Sequence, residues 1–267
     1  MKLLYTEHEV YHNVKEEIYP TCIRSTVCTK PIFKDKNYEL TKPIVRERRT
    51  SYNTDNPVRD DSVLRAKRKV FDISMLNQFD YFVTWTLDKR KINRYDKKVI
   101  KQKLLNFLSN LRQRYNAKYL LIPEYHKDGA IHMHGLFTGD FKLIDSGFKT
   151  KDGKTIYNMP QWSYGFSTAI KISGDYSNVC KYITKYVEKD FKKIFGKFYY
   201  SGGDLIREPI KKYYNIDFNA VEAPEFYCKE ANLSFKYVLS ENIGDDETKG
   251  FDVDFKADDY PECNIKS

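Results

Sequence analysis

The chain has 267 residues, a formal net charge of +9 and a pI near 9.0, with 41% apolar and 15% aromatic residues. That is enough for one well-buried domain with extensions or for two small domains, and it excludes a disordered chain. No apolar run approaches the ~20 residues of a membrane helix, and the N-terminus turns polar too early for a secretory signal, so a soluble cytoplasmic protein is expected. The five cysteines are odd in number, scattered and free of any Cys-x-x-Cys pair, which supports neither a disulfide framework nor a zinc knuckle. The charge is uneven: residues 241–262 hold nine acids and two lysines, leaving +16 on the rest. A basic chain with 22 tyrosines suits a polyanion whose bases can stack on rings.

In chain order, residues 1–60 mix four prolines with many charges and are expected to form a partly ordered arm. A basic helix is expected to begin near Asp61, with Arg65, Lys67, Arg68 and Lys69 on its exposed side. Phe79–Leu87 is aromatic and β-branched, the composition of a central strand. Asp96–Tyr115 reads as a helix with Val99, Leu104, Phe107, Leu108 and Leu111 as its apolar stripe. Lys118–Tyr125 and Ala130–Thr138 read as a hairpin with Gly129 in its turn. Residues 140–160 form a polar excursion, and Tyr164–Ser173 is a further strand. Asp175–Glu188 is a helix with Val179, Ile183 and Val187 on one face, and Phe195–Ser201 is a last candidate strand. From Glu241 an acidic tail follows. Strands and helices without strict alternation point to α+β with a central antiparallel sheet, the domain covering 61–240 and the tail 241–267.

Within the hairpin, His132 and His134 flank Met133. Alternation along a strand puts both imidazoles on one face and Met133 on the other. Glu124, on the partner strand, can meet them across the sheet. Two nitrogens and one oxygen form a site for a divalent ion such as Mn²⁺, Mg²⁺, Co²⁺ or Zn²⁺. His126, in the turn, competes with Glu124 as third ligand.

Further on, Lys181-Tyr182-Ile-Thr-Lys185-Tyr186-Val-Glu-Lys189 sets two phenols four residues apart on one helical face. Lys185 lies one turn from Tyr182 and Lys189 one turn from Tyr186. A tyrosine is a weak nucleophile at its usual pKa of ~10, and a neighbouring ammonium stabilises the charge that develops when it attacks phosphorus.

Together these segments resemble the HUH endonuclease superfamily, specifically the two-tyrosine rolling-circle replication initiators of phages and plasmids. Phe82-Val-Thr-Trp-Thr-Leu87 resembles the first family motif. Ile131-His-Met-His-Gly-Leu-Phe137 resembles the second, and Tyr182-Ile-Thr-Lys-Tyr186 the third. The resemblance spans about residues 70–205 and implies a sheet of about five antiparallel strands flanked by helices. It implies a divalent ion, Mn²⁺ or Mg²⁺, held by Glu124, His132 and His134 against a scissile phosphate. It also implies attack by Tyr182, giving a 5′-phosphotyrosine and a free 3′-hydroxyl, followed by a second attack from Tyr186. Lys185 is then the helper cation, Lys189 a weaker one, and Thr84 and Thr86 are candidates to face the DNA.

The implied partners are a single-stranded DNA origin in the cytoplasm of a bacterial host and that host's replication machinery. Lacking a Gly-x-x-x-x-Gly-Lys-Ser/Thr loop, the chain would depend on a separate helicase. Rival readings are an HUH transposase or relaxase, a non-catalytic origin- or RNA-binding protein, and a phosphodiesterase that uses water as nucleophile.

Overall fold

The structure is a computed structural model, and it describes residues 11–34, 60–188, 193–229, 231–241, 250–251 and 263–265. The chain divides into two compact units, one of residues 53–208 and one joining 1–52 to 209–267. Both are built on antiparallel sheets, and the larger carries three helices, so the fold is α+β.

The N-terminal strands are β1 (Tyr11–His12), β2 (Val14–Ile18), β3 (Cys22–Cys28) and β4 (Phe33–Lys34). The 53–208 unit holds α1 (Asp60–Leu76), β5 (Tyr81–Leu87), α2 (Lys97–Tyr115), β6 (Lys118–Tyr125), β7 (Ile131–Thr138), β8 (Ile144–Lys149), β9 (Thr155–Asn158), β10 (Gly165–Lys171), α3 (Tyr176–Glu188) and β11 (Tyr200–Gly202). The chain then returns through β12 (Ile210–Tyr214), β13 (Glu225–Cys228), β14 (Leu233–Glu241), β15 (Gly250–Phe251) and β16 (Cys263–Ile265).

In the 53–208 unit the strands lie in the order β11-β6-β7-β5-β10-β9-β8, with β5 at the centre. Five of these seven strands are those expected; the other two, β8 and β9, come from the polar excursion of residues 140–160, which folds as a hairpin on the sheet edge. One sheet face presents Val83, Trp85, Leu121, Met133 and Phe137 to the buried stripe of α2: Ile100, Leu104, Phe107, Leu108 and Leu111. Ile100 replaces Val99 in that stripe, and Val99 is exposed, because the turn after Asp96 rotates the helix by one residue from the expected phase. Asp96 starts α2, its carboxylate accepting from the Lys98 and Val99 amides at 3.0 and 3.1 Å. Trp85 and Trp162 stack at 4.9 Å under this face, with Phe107 edge-on to both.

The other face carries Leu120, Ile122, Leu136 and Phe82 and is covered over β6 and β7 by α1 and α3, which contribute Val63, Val70, Ile73, Ile183 and Val187. A Cβ on Gly135 of β7 would stand 2.8 Å from the Leu120 carbonyl oxygen, so the close pairing of β6 and β7 requires glycine there. Among the described residues no helix is long and apolar enough to cross a membrane.

The second unit departs from the expected division. Residues 14–28 do not trail as an arm: β2 and β3 pair with each other, and β12 and β14 close on either side of them in a sheet ordered β12-β2-β3-β14-β13-β16. Residues 210–241 therefore belong with the N-terminal segment, and the acidic stretch contributes the short strands β15 and β16.

Candidate active site

Cross-strand register assembles the site on the face that carries α1 and α3. Glu124 pairs with His132, and His132 pairs with Thr86 of β5. One step along, His134 lies between Ile122 and Thr84. Paired residues share a face, so Glu124, His132, His134, Thr84 and Thr86 project together while Met133 is buried beneath the opposite face.

Glu124 is only 4% exposed, and its Oε2 stands 2.9 Å from His134 Nε2. His134 Nδ1 is in turn 3.1 Å from the Thr84 hydroxyl. Two ligands at right angles on an octahedral ion with bonds of about 2.1 Å lie about 3 Å apart, so the Glu124–His134 spacing suits a shared divalent cation. His132 is held differently. Its ring stacks on His126 at 4.6 Å and lies 6.5 Å from the His134 ring. Among the described residues no three His, Cys, Asp or Glu side chains are already gathered around one point. His132 must turn from His126 towards His134 to complete the trio. Burial, with the neighbouring His126 and His134, keeps His132 below the usual histidine range against the pull of Glu124 and Asp128, which favours the neutral imidazole a metal needs. His126, whose Nδ1 faces Asp128 at 3.2 Å, stays at the rim of the site.

Helix α3 supplies the phenols. Ile183 and Val187 anchor it to the sheet, which turns Tyr182 and Tyr186 towards β5 and β7. The Tyr186 ring stacks on His134 at 4.1 Å, and both phenols pack against Phe82, at 5.6 Å for Tyr182 and 6.4 Å for Tyr186. Tyr186 donates its hydroxyl hydrogen to the Tyr182 oxygen at 2.7 Å. Burial, that hydrogen bond and the Glu124 carboxylate push the Tyr186 phenol well above the usual tyrosine range. Tyr182 is half exposed.

Lys185 is exposed on α3, one turn from Tyr182, whereas Lys189 lies outside the described residues. Thr86 shares the site face, and its carbonyl accepts from Trp162 Nε1 at 3.3 Å. The Thr84–His134 contact could not be read from the chain without its strand register. The His126–His132 stack depends on the turn geometry, with Gly129 N–H donating to the His126 carbonyl.

Residues 80–191 match the model of a family of replication-associated proteins, described by its ORF2 members. That span runs from β5 to just past α3 and so contains every side chain assembled here. The similarity is consistent with a part in replication initiation. No curated protein and no solved structure matches the chain.

Proposed function

We propose that the protein is a replication initiator that nicks and rejoins single-stranded DNA by tyrosine attack at an origin, as in rolling-circle replication. The observation that carries this reading is the stacking of Tyr186 on His134 with its hydroxyl on Tyr182, which sets two phenols over an imidazole–carboxylate pair. The family similarity over residues 80–191 supports the replication role.

Glu124, His134 and, after rotation, His132 are the residues that would hold Mn²⁺ or Mg²⁺. When bound, such an ion supplies Lewis-acid polarisation of the scissile phosphate. The protein's own groups do the rest. Tyr182 is the better first nucleophile because Tyr186 already donates to its oxygen and would stabilise the phenolate as it forms. In that step the Tyr182 oxygen bonds to phosphorus, its proton leaves, and the 3′ oxygen departs and takes up a proton. Tyr186, held protonated by burial, is the donor in the first cleavage and the second nucleophile once its neighbour is esterified. Lys185 lies where an ammonium would offset charge at the phosphate, with Lys189 as a weaker helper. Thr84 serves His134 before it serves DNA, and Thr86 is left to line the substrate side. A separate helicase and host replication proteins are the expected partners, in a bacterial cytoplasm.

The test is incubation with single-stranded origin DNA and Mn²⁺, followed by denaturing electrophoresis. A protein–DNA adduct that survives boiling in detergent, and that Tyr182→Phe reduces more than tenfold, is the expected result. Cleavage without adduct, unaffected by Tyr→Phe changes, would establish water as nucleophile. Binding without cleavage would reduce the protein to an origin- or RNA-binding module. Full cleavage and strand transfer in either single Tyr→Phe variant would remove the alternating-tyrosine scheme and favour a single-tyrosine transposase or relaxase.

A further inference from the structure

The row of paired residues that begins at Glu124 does not end at the metal ligands. It continues from His132 through Thr86 to Phe166 on β10, whose register with β5 puts its ring on the same face. The alternation of burial along β10 is sharp. Ser167 and Ala169 are buried on the far side, whereas Phe166 and Thr168 are exposed on the site side, the Phe166 ring at 63%. Two strand spacings of about 4.8 Å separate β10 from β7, which puts this ring about 10 Å from His132, just beyond the end of the ligand set.

Two further observations bear on what lies there. A Cβ on Gly165 would meet the Thr86 carbonyl oxygen at 1.9 Å and the Asp88 amide at 2.7 Å, so a glycine is needed to press β10 against β5 beside Phe166. The loop after β5 carries Lys89, Arg90 and Lys91, all exposed. It is tied to the same end of β10 by the Asp88 amide on the Tyr164 carbonyl at 3.0 Å and by Lys91 Nζ on the Ser163 carbonyl at 3.1 Å. Arg90 is partly neutralised by Asp88 at 2.8 Å, while Lys91 is held only by a carbonyl. An exposed ring on a rigid strand, rimmed by cations and continuous with a phosphate-handling site, has the chemistry of a base-stacking platform for a single strand.

We infer that Phe166 stacks on a base of single-stranded DNA one or two nucleotides from the scissile phosphate, and so sets which phosphodiester reaches the tyrosines. This rests on the nicking reading above. Phe166 positions the substrate and takes no part in bond making.

The probe is a fluorescein-labelled oligodeoxythymidine of about sixteen nucleotides, titrated by anisotropy in EDTA so that metal ligation does not contribute. Phe166→Ala is expected to weaken binding by about 5- to 100-fold. Phe166→Leu, which keeps apolar surface but no π-face, is expected to bind at least fivefold more weakly than the wild type, and Phe166→Trp to hold wild-type affinity with indole fluorescence quenched by the bound strand. Ile210→Ala, at an equally exposed apolar position on β12, is the control expected to change nothing.

Wild-type affinity in Phe166→Ala, or failure of the wild type to bind the oligonucleotide, would overturn the inference. The two readings fail separately. An adduct formed at equal rates by wild type and Phe166→Ala, with equal affinity, removes the platform and leaves the nicking chemistry. Loss of binding in Phe166→Ala with no adduct from any origin strand leaves the platform and removes the nicking chemistry.

Discussion

At the scale of single residues, the site depends on which hydrogen each imidazole carries. His134 has Glu124 on Nε2 and Thr84 on Nδ1, so it is oriented from both ends. When Nε2 binds a cation, Nδ1 carries the hydrogen and donates it to the Thr84 oxygen, which fixes the ring in its ligating orientation. Thr84→Val keeps the β-branched shape and removes that acceptor. Its affinity for Mn²⁺, measured by calorimetry, is expected to fall by about 10- to 100-fold, with the fold unchanged by circular dichroism. Tyr186→Phe removes the hydrogen bond to Tyr182 but keeps the ring on His134. Adduct formation by Tyr182 is then expected to slow by about tenfold, corresponding to about 1.4 kcal/mol for one lost donor to a developing phenolate. The effect should appear in single-turnover rates rather than in DNA affinity. An unchanged rate would mean that Tyr186 does not assist the first cleavage.

At the scale of elements, the site is only as precise as the spacing of β5, β7 and β10. Gly165→Ala inserts a methyl where the Thr86 carbonyl already stands, so β10 must move away from β5 or its first pair must open. Urea unfolding is expected to report a loss of about 1–3 kcal/mol, and a stability equal to wild type would show that the strand end is free to adjust. Most of these elements were legible in the sequence because their signals are local. The hairpin has apolar runs on either side of a Gly129 turn, and α3 has Ile183 and Val187 at helical spacing beside the two tyrosines. The Asp96 cap marks the start of α2 to within one residue. What could not be read was set by distant partners. The strands β2 and β3 look like a charged, proline-bounded arm until β12 and β14, some 200 residues away, pair with them. The hairpin of β8 and β9 is polar because it extends a sheet edge rather than filling a core. The same limit held at the site, where alternation put His132 and His134 on one face but could not foresee that the His132 ring would rest on His126.

At the scale of the whole molecule, the net charge of +9 is set against buried acids whose ionisation depends on particular cations, and Glu17 in the second unit is the clearest case. Its carboxylate is almost wholly enclosed on β2, 2.8 Å from Arg24 of β3 and 3.2 Å from Lys15. Burial works against its ionisation, but the charges and hydrogen bonds of Arg24 and Lys15 outweigh it, and the group is held below its ordinary value of 4.5. The folded state therefore keeps this carboxylate ionised at pH values where the unfolded chain has begun to protonate it. The stabilisation is fully present above about 4.5 and is lost as pH falls through the lower folded value. Glu17→Gln leaves Arg24 beside a neutral amide, so at neutral pH it should cost about 3 kcal/mol. Having no carboxylate left to titrate, the variant should then lose less additional stability than the wild type as the pH is lowered below about 5. Urea midpoints measured across that range would show the two curves converging towards acid. Curves that stay parallel would mean that other carboxylates govern the acid limit and that the Glu17–Arg24 pair fixes the register of β2 and β3 without contributing to it.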